Sequence, residues 1–328
     1  MKLLVCGGAG FIGSNFVRLR LRDHGDEVVV LDKLTYAGRR ENLEGLDVEF
    51  VHGAIEDPEA VARAVDGVDA IVNFAAETHV DRSIAEPDAF VRTHALGTYV
   101  LLEAARERGL RFLQVSTDEV YGSIAEGSFT EESPLQPSSP YSASKAGADL
   151  LVSGYHHTYD METLICRGSN NYGPYQYPEK LIPLMILNAL HGDPLPVYGN
   201  GMQIRNWLYV EDFGRGIGHV LAHGVPGEVY NVGGPDEEPN IEVVKRIIAL
   251  TGADESLLEY VTDRPGHDFR YSLGSEKVRA LGWEAQMRFA DGLERTVAWY
   301  RDNPGWWGPI RSGDYRAYYE RQYGRALG

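Results

Sequence analysis

Short apolar runs alternate with amphipathic stretches along the first half of the chain. Leu3 to Cys6, Val28 to Leu31, Val48 to Val51, Ala70 to Phe74, Phe112 to Val115 and Thr163 to Cys166 are almost continuously apolar. Strands buried on both faces of a parallel sheet read this way. Helical stretches lie between several of them, clearest at Thr98 to Arg108 and Tyr141 to Tyr159. The alternation predicts an α/β fold with a doubly wound parallel sheet. After Cys166 the texture changes to turn-rich segments such as Asn170-Asn171-Tyr172-Gly173-Pro174-Tyr175 and Gly192-Asp193-Pro194-Leu195-Pro196. Helices are expected near Ile182 to Leu190, Glu211 to Ala222 and Ile241 to Leu250, the last with Asn240 as its N-cap. The expected organisation is a first domain over 1–166 and a smaller mixed domain over 167–328. The apolar segment near 228–233 is a candidate to return to the first sheet.

Composition narrows the class. A chain of 328 residues with 43% hydrophobic and 24% charged residues is ordinary for a soluble globular protein. No apolar window approaches the length of a membrane span. Met1 to Cys6 offers four apolar residues before the first glycines, too few for a signal-peptide core. The net charge of −17 argues against nucleic acid or an anionic membrane as the main partner. Cys6 and Cys166 sit in strand-like runs, far from each other and from any Cys/His cluster. They are expected to be buried free thiols of a cytoplasmic protein, with no metal site.

Gly7-Gly8-Ala9-Gly10-Phe11-Ile12-Gly13 follows the first strand and opens a helix. Gly7, Gly10 and Gly13 permit a tight turn, close backbone approach to a pyrophosphate, and close packing of helix on strand. The phosphates would rest against the helix N-terminus. Asp32 ends the second strand, where a carboxylate accepts ribose hydroxyls and repels a 2′-phosphate. A Rossmann-like NAD site is therefore expected in 1–166. Lys33 is the one hint toward a 2′-phosphate.

Ser116-Thr117-Asp118-Glu119 follows the strand at Phe112 to Val115. Ligands of open α/β sheets bind outside the carboxyl ends of the strands, so Thr117, Asp118 and Glu119 should face the nicotinamide. Tyr141 and Lys145, at i and i+4, share one helix face. A phenol with an ordinary pKa near 10 is a poor base. A neighbouring ammonium and a positive nicotinamide ring would both favour the phenolate. The two adjacent carboxyls exceed what oxidation alone requires.

These segments carry a resemblance. With them go Asp32-Lys33-Leu34-Thr35-Tyr36-Ala37-Gly38, Phe74 to Ser83, Asn170 to Pro183, Gly266-His267-Asp268 and Arg270-Tyr271. The chain resembles the extended short-chain dehydrogenase/reductase superfamily, and within it the dTDP-glucose 4,6-dehydratase family, over nearly its whole length. The resemblance implies oxidation of a nucleotide sugar at C4, elimination of water across C5 and C6, and return of the hydride to C6. Glu119 would be the base at C5 and Asp118 the acid at the C6 hydroxyl, with Thr117, Tyr141 and Lys145 serving the oxidation. A buried carboxyl pair can hold one proton between its members, because desolvation and the first charge both raise the second pKa.

The expected NAD site comprises Gly7, Gly10, Phe11, Ile12, Gly13, Asp32, Lys33, Thr35, Ile55, Ala75 and Ala76 with Tyr141 and Lys145. For the substrate, dTDP-glucose, Arg205 and Arg264 are candidate pyrophosphate clamps, since a guanidinium fork matches phosphate oxygens. The resemblance further implies Asn170, Asn240 and His267 near the phosphates or ribose. It places Lys180, Leu181, Pro196 and Tyr198 around the base, Arg82 and Ser83 near the sugar, and Tyr271 in the wall. The superfamily's dimer habit, with the apolar helices Thr98 to Arg108 and Tyr141 to Tyr159, leads to an expected homodimer.

The chain departs from the family pattern at Cys6, in place of threonine, at Ala54, in place of an aspartate that would bind the adenine amino group, and at His94, in place of asparagine. The nearest alternatives are a UDP- or CDP-sugar dehydratase and a 4-epimerase. Asp118 argues against the epimerase, which needs no elimination. Thymine and uracil are not separable on physical grounds. A non-catalytic NAD-binding scaffold would have no use for Tyr141, Lys145 and the carboxyl pair.

Overall fold

The computed structural model describes residues 1–263, 267–312 and 319–320. Twelve strands are present among them: β1 Lys2–Cys6, β2 Glu27–Asp32, β3 Glu49–His52, β4 Ala70–Asn73, β5 Arg111–Thr117, β6 Thr163–Gly168, β7 Asn170–Tyr172, β8 Leu195–Tyr198, β9 Ile204–Tyr209, β10 Val229–Val232, β11 Asp236–Pro239 and β12 Leu258–Val261. Seven form a parallel sheet in the order β10-β6-β5-β4-β1-β2-β3. The strand order reverses between β1 and β4, which opens a crevice at the carboxyl ends of the strands.

The continuous apolar runs are explained by packing on both faces. Leu3, Val5, Val28 and Val30 enter one core with Phe213 and Val220. Their neighbours Leu4, Cys6, Val29 and Leu31 enter another with Leu101 and Phe112. Both cysteines are buried and free. A third core forms between the helices Leu181–His191, Asn240–Thr251 and Phe289–Asp302 and the three-stranded sheet β11-β9-β7. In that small sheet β11 is antiparallel to β9 and β7 is parallel to it. β8 and β12 make a separate parallel pair.

Strand ends are where the apolar pattern and the backbone part company. β5 runs on to Thr117 and β6 to Gly168, with Ser116 opposite Arg167 and Thr117 opposite Gly168. These polar residues are buried because each finds partners inside. Asn240 is not an N-cap: the cap position is Pro239, and Asn240 is the first helical residue, making no side-chain cap. Its backbone N–H instead donates to the Gln203 carbonyl at 2.9 Å. Among the described residues no helix is long and apolar enough to cross a membrane.

Candidate active site

One cleft at the carboxyl ends of β1, β2, β4, β5 and β6 brings together most of the residues singled out by the sequence. Gly7, Gly10, Phe11, Ile12, Gly13, Asp32, Lys33, Thr35, Ile55, Ala75, Ala76, Thr117, Asp118, Glu119, Tyr141, Lys145, Asn170 and Lys180 all line it. Gly7 has φ +72°, and a Cβ on Gly13 would lie 2.3 Å from the Gly7 carbonyl oxygen. Both positions therefore require glycine. The helix Phe11–Leu19 starts at Gly10 with no side-chain cap, so its first N–H groups face the cleft without one. This bare, positively polarised terminus suits a pyrophosphate.

Asp32 is buried at the end of β2 and anchors two loops. Its Oδ2 accepts from Ala9 N at 3.0 Å and its Oδ1 from Leu34 N at 2.8 Å. Burial raises its pKa, partly offset by those two bonds. A Cβ on Gly38 would stand 2.8 Å from Oδ1, so the glycine leaves the carboxylate its space. Lys33 is tied down: its Nζ donates to Thr93 Oγ1 at 3.0 Å and pairs with Glu77 at 3.0 Å and Glu56 at 3.6 Å. Its charge is thus met by two carboxylates. The residues present fit an NAD molecule.

The turn after β5 carries the carboxyls. Thr117 caps it, its Oγ1 accepting from Glu119 N at 3.3 Å and donating to Asp118 Oδ1 at 3.2 Å. Asp118 is 1% exposed and its Oδ2 has no hydrogen-bond partner in the described structure. Burial, reinforced by the Glu119 charge, pushes its pKa up to about 8, against the pull of Arg205. Asp118 is therefore mostly protonated near neutral pH, while Glu119 is only half-buried.

The helix Pro140–Tyr159 begins with a capping box between Ser139 and Ser142. This fixes the first turn, where Tyr141 and Lys145 project into the cleft. Lys145 Nζ donates to the Val115 carbonyl at 2.7 Å, and burial pulls its pKa down to about 8, with Asp149 opposing. Tyr141 differs from the sequence expectation. Burial, then the charges of Glu119 and Asp118, push its pKa up, with the Thr117 hydroxyl opposing. The neighbouring lysine does not reverse this, because its ammonium is directed at the strand carbonyl.

Of the substrate candidates, Asn170 and Lys180 line the cleft, and the others among the described residues do not. Arg82 stacks on Tyr36, 3.9 Å from the ring centroid, and its Nε donates to Glu179 at 3.2 Å. Tyr36 OH donates to the other Glu179 oxygen at 2.8 Å. Ser83 is fully buried and donates to the Val80 carbonyl. Lys180 Nζ donates to the Thr78 carbonyl at 2.6 Å. Leu181 starts a helix against the third core, and Pro196 pairs with Glu259 in β8. Tyr198 meets His267 edge-on at 6.1 Å, and His267 is bonded to Asp263 at 2.6 Å. Arg205 is 5% exposed, its guanidinium lying 4.4 Å from the centre of the Tyr271 ring and donating to the Asp268 and Phe269 carbonyls. Tyr271 OH donates to Asp268 at 2.6 Å. Arg264 lies outside the described residues.

Several groups escaped the sequence reading. Glu56, Glu77 and Thr93 gather around Lys33 only through the fold. His94, read in the sequence only as a departure from the family pattern, is 1% exposed and sits in a wider-wound helical turn, Arg92–Gly97. It is bonded to Ser144 at 2.7 Å, edge-on to the Tyr141 ring at 5.8 Å. Asp149 is one turn past Lys145 on the same helix, and Arg167 is in β6. Their signal was a charge in an otherwise apolar stretch. Among the described residues no group of three or more His, Cys, Asp or Glu could hold a metal ion.

The GDP-mannose 4,6 dehydratase family matches residues 4–296. A dTDP-glucose 4,6-dehydratase of Streptomyces niveus is 53% identical, over 96% of this chain and 97% of its own. Another, from Escherichia coli K12, is 49% identical over 98% and 99%. The solved structure of a dTDP-glucose 4,6-dehydratase from Streptomyces venezuelae with NAD bound superposes with a TM-score of 0.92. It is 54% identical, covering 94% of this chain and all of that one.

Proposed function

The chain belongs to the GDP-mannose 4,6 dehydratase family, and from that premise we propose that it dehydrates dTDP-glucose to dTDP-4-keto-6-deoxyglucose with bound NAD. Full-length relatives carrying that activity in their names support the reading. The observation that carries it is the carboxyl pair: a buried, protonated Asp118 beside a less buried Glu119, both lining the cleft with Tyr141 and Lys145.

NAD supplies the acceptor, and later the donor, of the hydride. Tyr141 takes the proton from the C4 hydroxyl, with Thr117 beside its phenol and Lys145 one turn along the helix. A phenol raised by burial needs the cation of the loaded site before it can act as base. Oxidation at C4 acidifies the C5 proton, which Glu119 removes. Asp118 gives its proton to the departing C6 hydroxyl, as a carboxyl with pKa near 8 can do at neutral pH. Arg205 meets the substrate's pyrophosphate, with Arg264 as a second clamp. Asn170, Asn240 and His267 serve the phosphates or ribose. Lys180, Leu181, Pro196 and Tyr198 surround the base, Arg82 and Ser83 the sugar, and Tyr271 closes the wall.

The protein is a cytoplasmic homodimer in this reading. Large apolar side chains stand exposed on the paired helices: Tyr99 at 46%, Leu150 at 64% and Tyr159 at 51%. Tyr155 OH, donating to Glu103 at 2.7 Å, holds these helices together as one face. A second copy would cover it. The deciding test of function is incubation with dTDP-glucose and with UDP-glucose. The dTDP sugar should give a product lighter by one water, and an epimer of unchanged mass would refute the dehydratase.

A further inference from the structure

A buried polar chain runs beneath the cleft and joins its two catalytic elements. Asp149 is 1% exposed and lies on the helix of Tyr141 and Lys145. Its Oδ2 accepts from Ser116 Oγ at 3.0 Å and from Arg167 Nε at 2.9 Å. Ser116 immediately precedes Thr117, Asp118 and Glu119. Arg167 Nη1 continues the chain to Tyr121 OH at 2.8 Å, and Tyr121 OH donates to Asn231 at 2.8 Å. Tyr121 closes the short turn that begins at Asp118. One carboxylate thus touches the strand leading into that turn directly and the end of the turn through a guanidinium.

We propose that Asp149 is a positioning residue: it fixes the helix of Tyr141 and Lys145 against the turn of Asp118 and Glu119, with its carboxylate one helical turn from Lys145. Several groups face Lys145 from the elements packed around it. Burial works against the ammonium, and Asp149 works for it. The helical turn packed alongside supplies His94, which burial and Lys145 itself keep neutral. β5 supplies the Val115 carbonyl, and the turn after it supplies Asp118 and Glu119, of which Asp118 is mostly protonated. β6 supplies Arg167, a cation already bonded to Asp149. Tyr141, on the same helix, is uncharged at rest. Asp149 is therefore the fixed negative charge on the lysine's own helix face. Its other oxygen, Oδ1, is buried without a hydrogen-bond partner in the described structure.

This rests on the reading of Lys145 as catalytic, and the experiment separates the two. Asp149→Asn leaves Arg167 buried without its carboxylate, and the protein can fail to fold. The double variant Asp149→Asn/Arg167→Gln removes both charges and keeps amides at both places. The readouts are the pH dependence of cofactor reduction in a single turnover on dTDP-glucose, and the titration of [ε-13C]Lys145 in the protein alone, assigned by its absence from Lys145→Met. The expected result is a Lys145 midpoint lower by about one pH unit, a tenfold change in its acid constant. The alkaline limb of the reduction rate should fall with it, and Asp149→Glu should restore both. A rate lowered equally at every pH, with the lysine midpoint unmoved, would overturn the inference and leave a purely structural ion pair. Normal turnover by Lys145→Met would instead overturn the role of Lys145.

Discussion

Replacing Asp118 by asparagine separates oxidation from elimination, and the burial of this carboxyl sets the size of both expected effects. With its pKa pushed up to about 8 by burial and the Glu119 charge, Asp118 is mostly protonated at pH 7. It is thus a ready acid, and Asp118→Asn keeps its shape and the hydrogen bond from Thr117 while removing the transferable proton. Elimination should slow by roughly 100- to 10,000-fold, the usual worth of a general acid. Oxidation does not use that proton, so reduced cofactor should accumulate on the enzyme during turnover, visible by its absorbance. The same substitution should stabilise the fold. A carboxyl whose folded pKa is raised contributes full stability below its unfolded pKa, near pH 4. That contribution is lost as pH rises toward the folded value near 8. At pH 7 the penalty is on the order of a few kcal/mol, and asparagine removes it. Urea denaturation at pH 5 and pH 8 should show the wild type weakening with pH by more than the variant. Near-normal turnover would remove Asp118 from the mechanism, and slow turnover without reduced cofactor would move the defect to binding or oxidation. Parallel stability profiles would refute the buried, protonated state.

Arg205→Ala should weaken substrate binding by roughly 2–5 kcal/mol and NAD binding much less, measured by calorimetry. Because Arg205 favours the Asp118 carboxylate, the alkaline limb of turnover should also shift to higher pH; equal losses for both ligands would make Arg205 merely structural. Deuterium at C4 of the substrate should reappear at C6 of the product, and its appearance in bulk water would contradict return of the same hydride. Leu150→Glu places a charge on the exposed helical face and should yield monomers by light scattering. A wild type already monomeric at micromolar concentration would exclude the dimer.

Strands with apolar side chains toward both cores were readable because β1 and β2 have no polar position in their middle. The polar ends of β5 and β6 were not, since Ser116 and Arg167 are buried by partners that lie far away in sequence. The glycine loop was legible because its constraints are local: a positive φ at Gly7 and the close approach of Gly13 to Gly7. So was the helix face of Tyr141 and Lys145, which needs only a period. What those side chains feel was not legible. Lys145 meets a carbonyl from β5, and Tyr141 meets carboxyls from the turn after β5, so the direction of the phenol's pKa follows from tertiary packing. Asn240 failed as a cap because Pro239 already supplies the extended entry to the helix. The stacking of Arg82 on Tyr36 joins segments 46 residues apart by their numbers, and no local pattern announces it.

β10 has a consequence for how the chain is made. It is an edge strand of the main sheet, yet sixty residues separate it from its neighbour β6, and the intervening chain builds much of the third core. During synthesis the edge of β6 stays open until residue 232 has left the ribosome, several seconds or more after β6 at roughly 5–20 residues per second. An unpaired strand edge of that kind invites association with other chains. Without β10, the first 166 residues leave the β6 edge of the main sheet unpaired. A fragment ending at residue 166 should aggregate or bind a hydrophobic dye where the full chain does not, and a well-folded, monomeric 1–166 fragment would disprove that dependence.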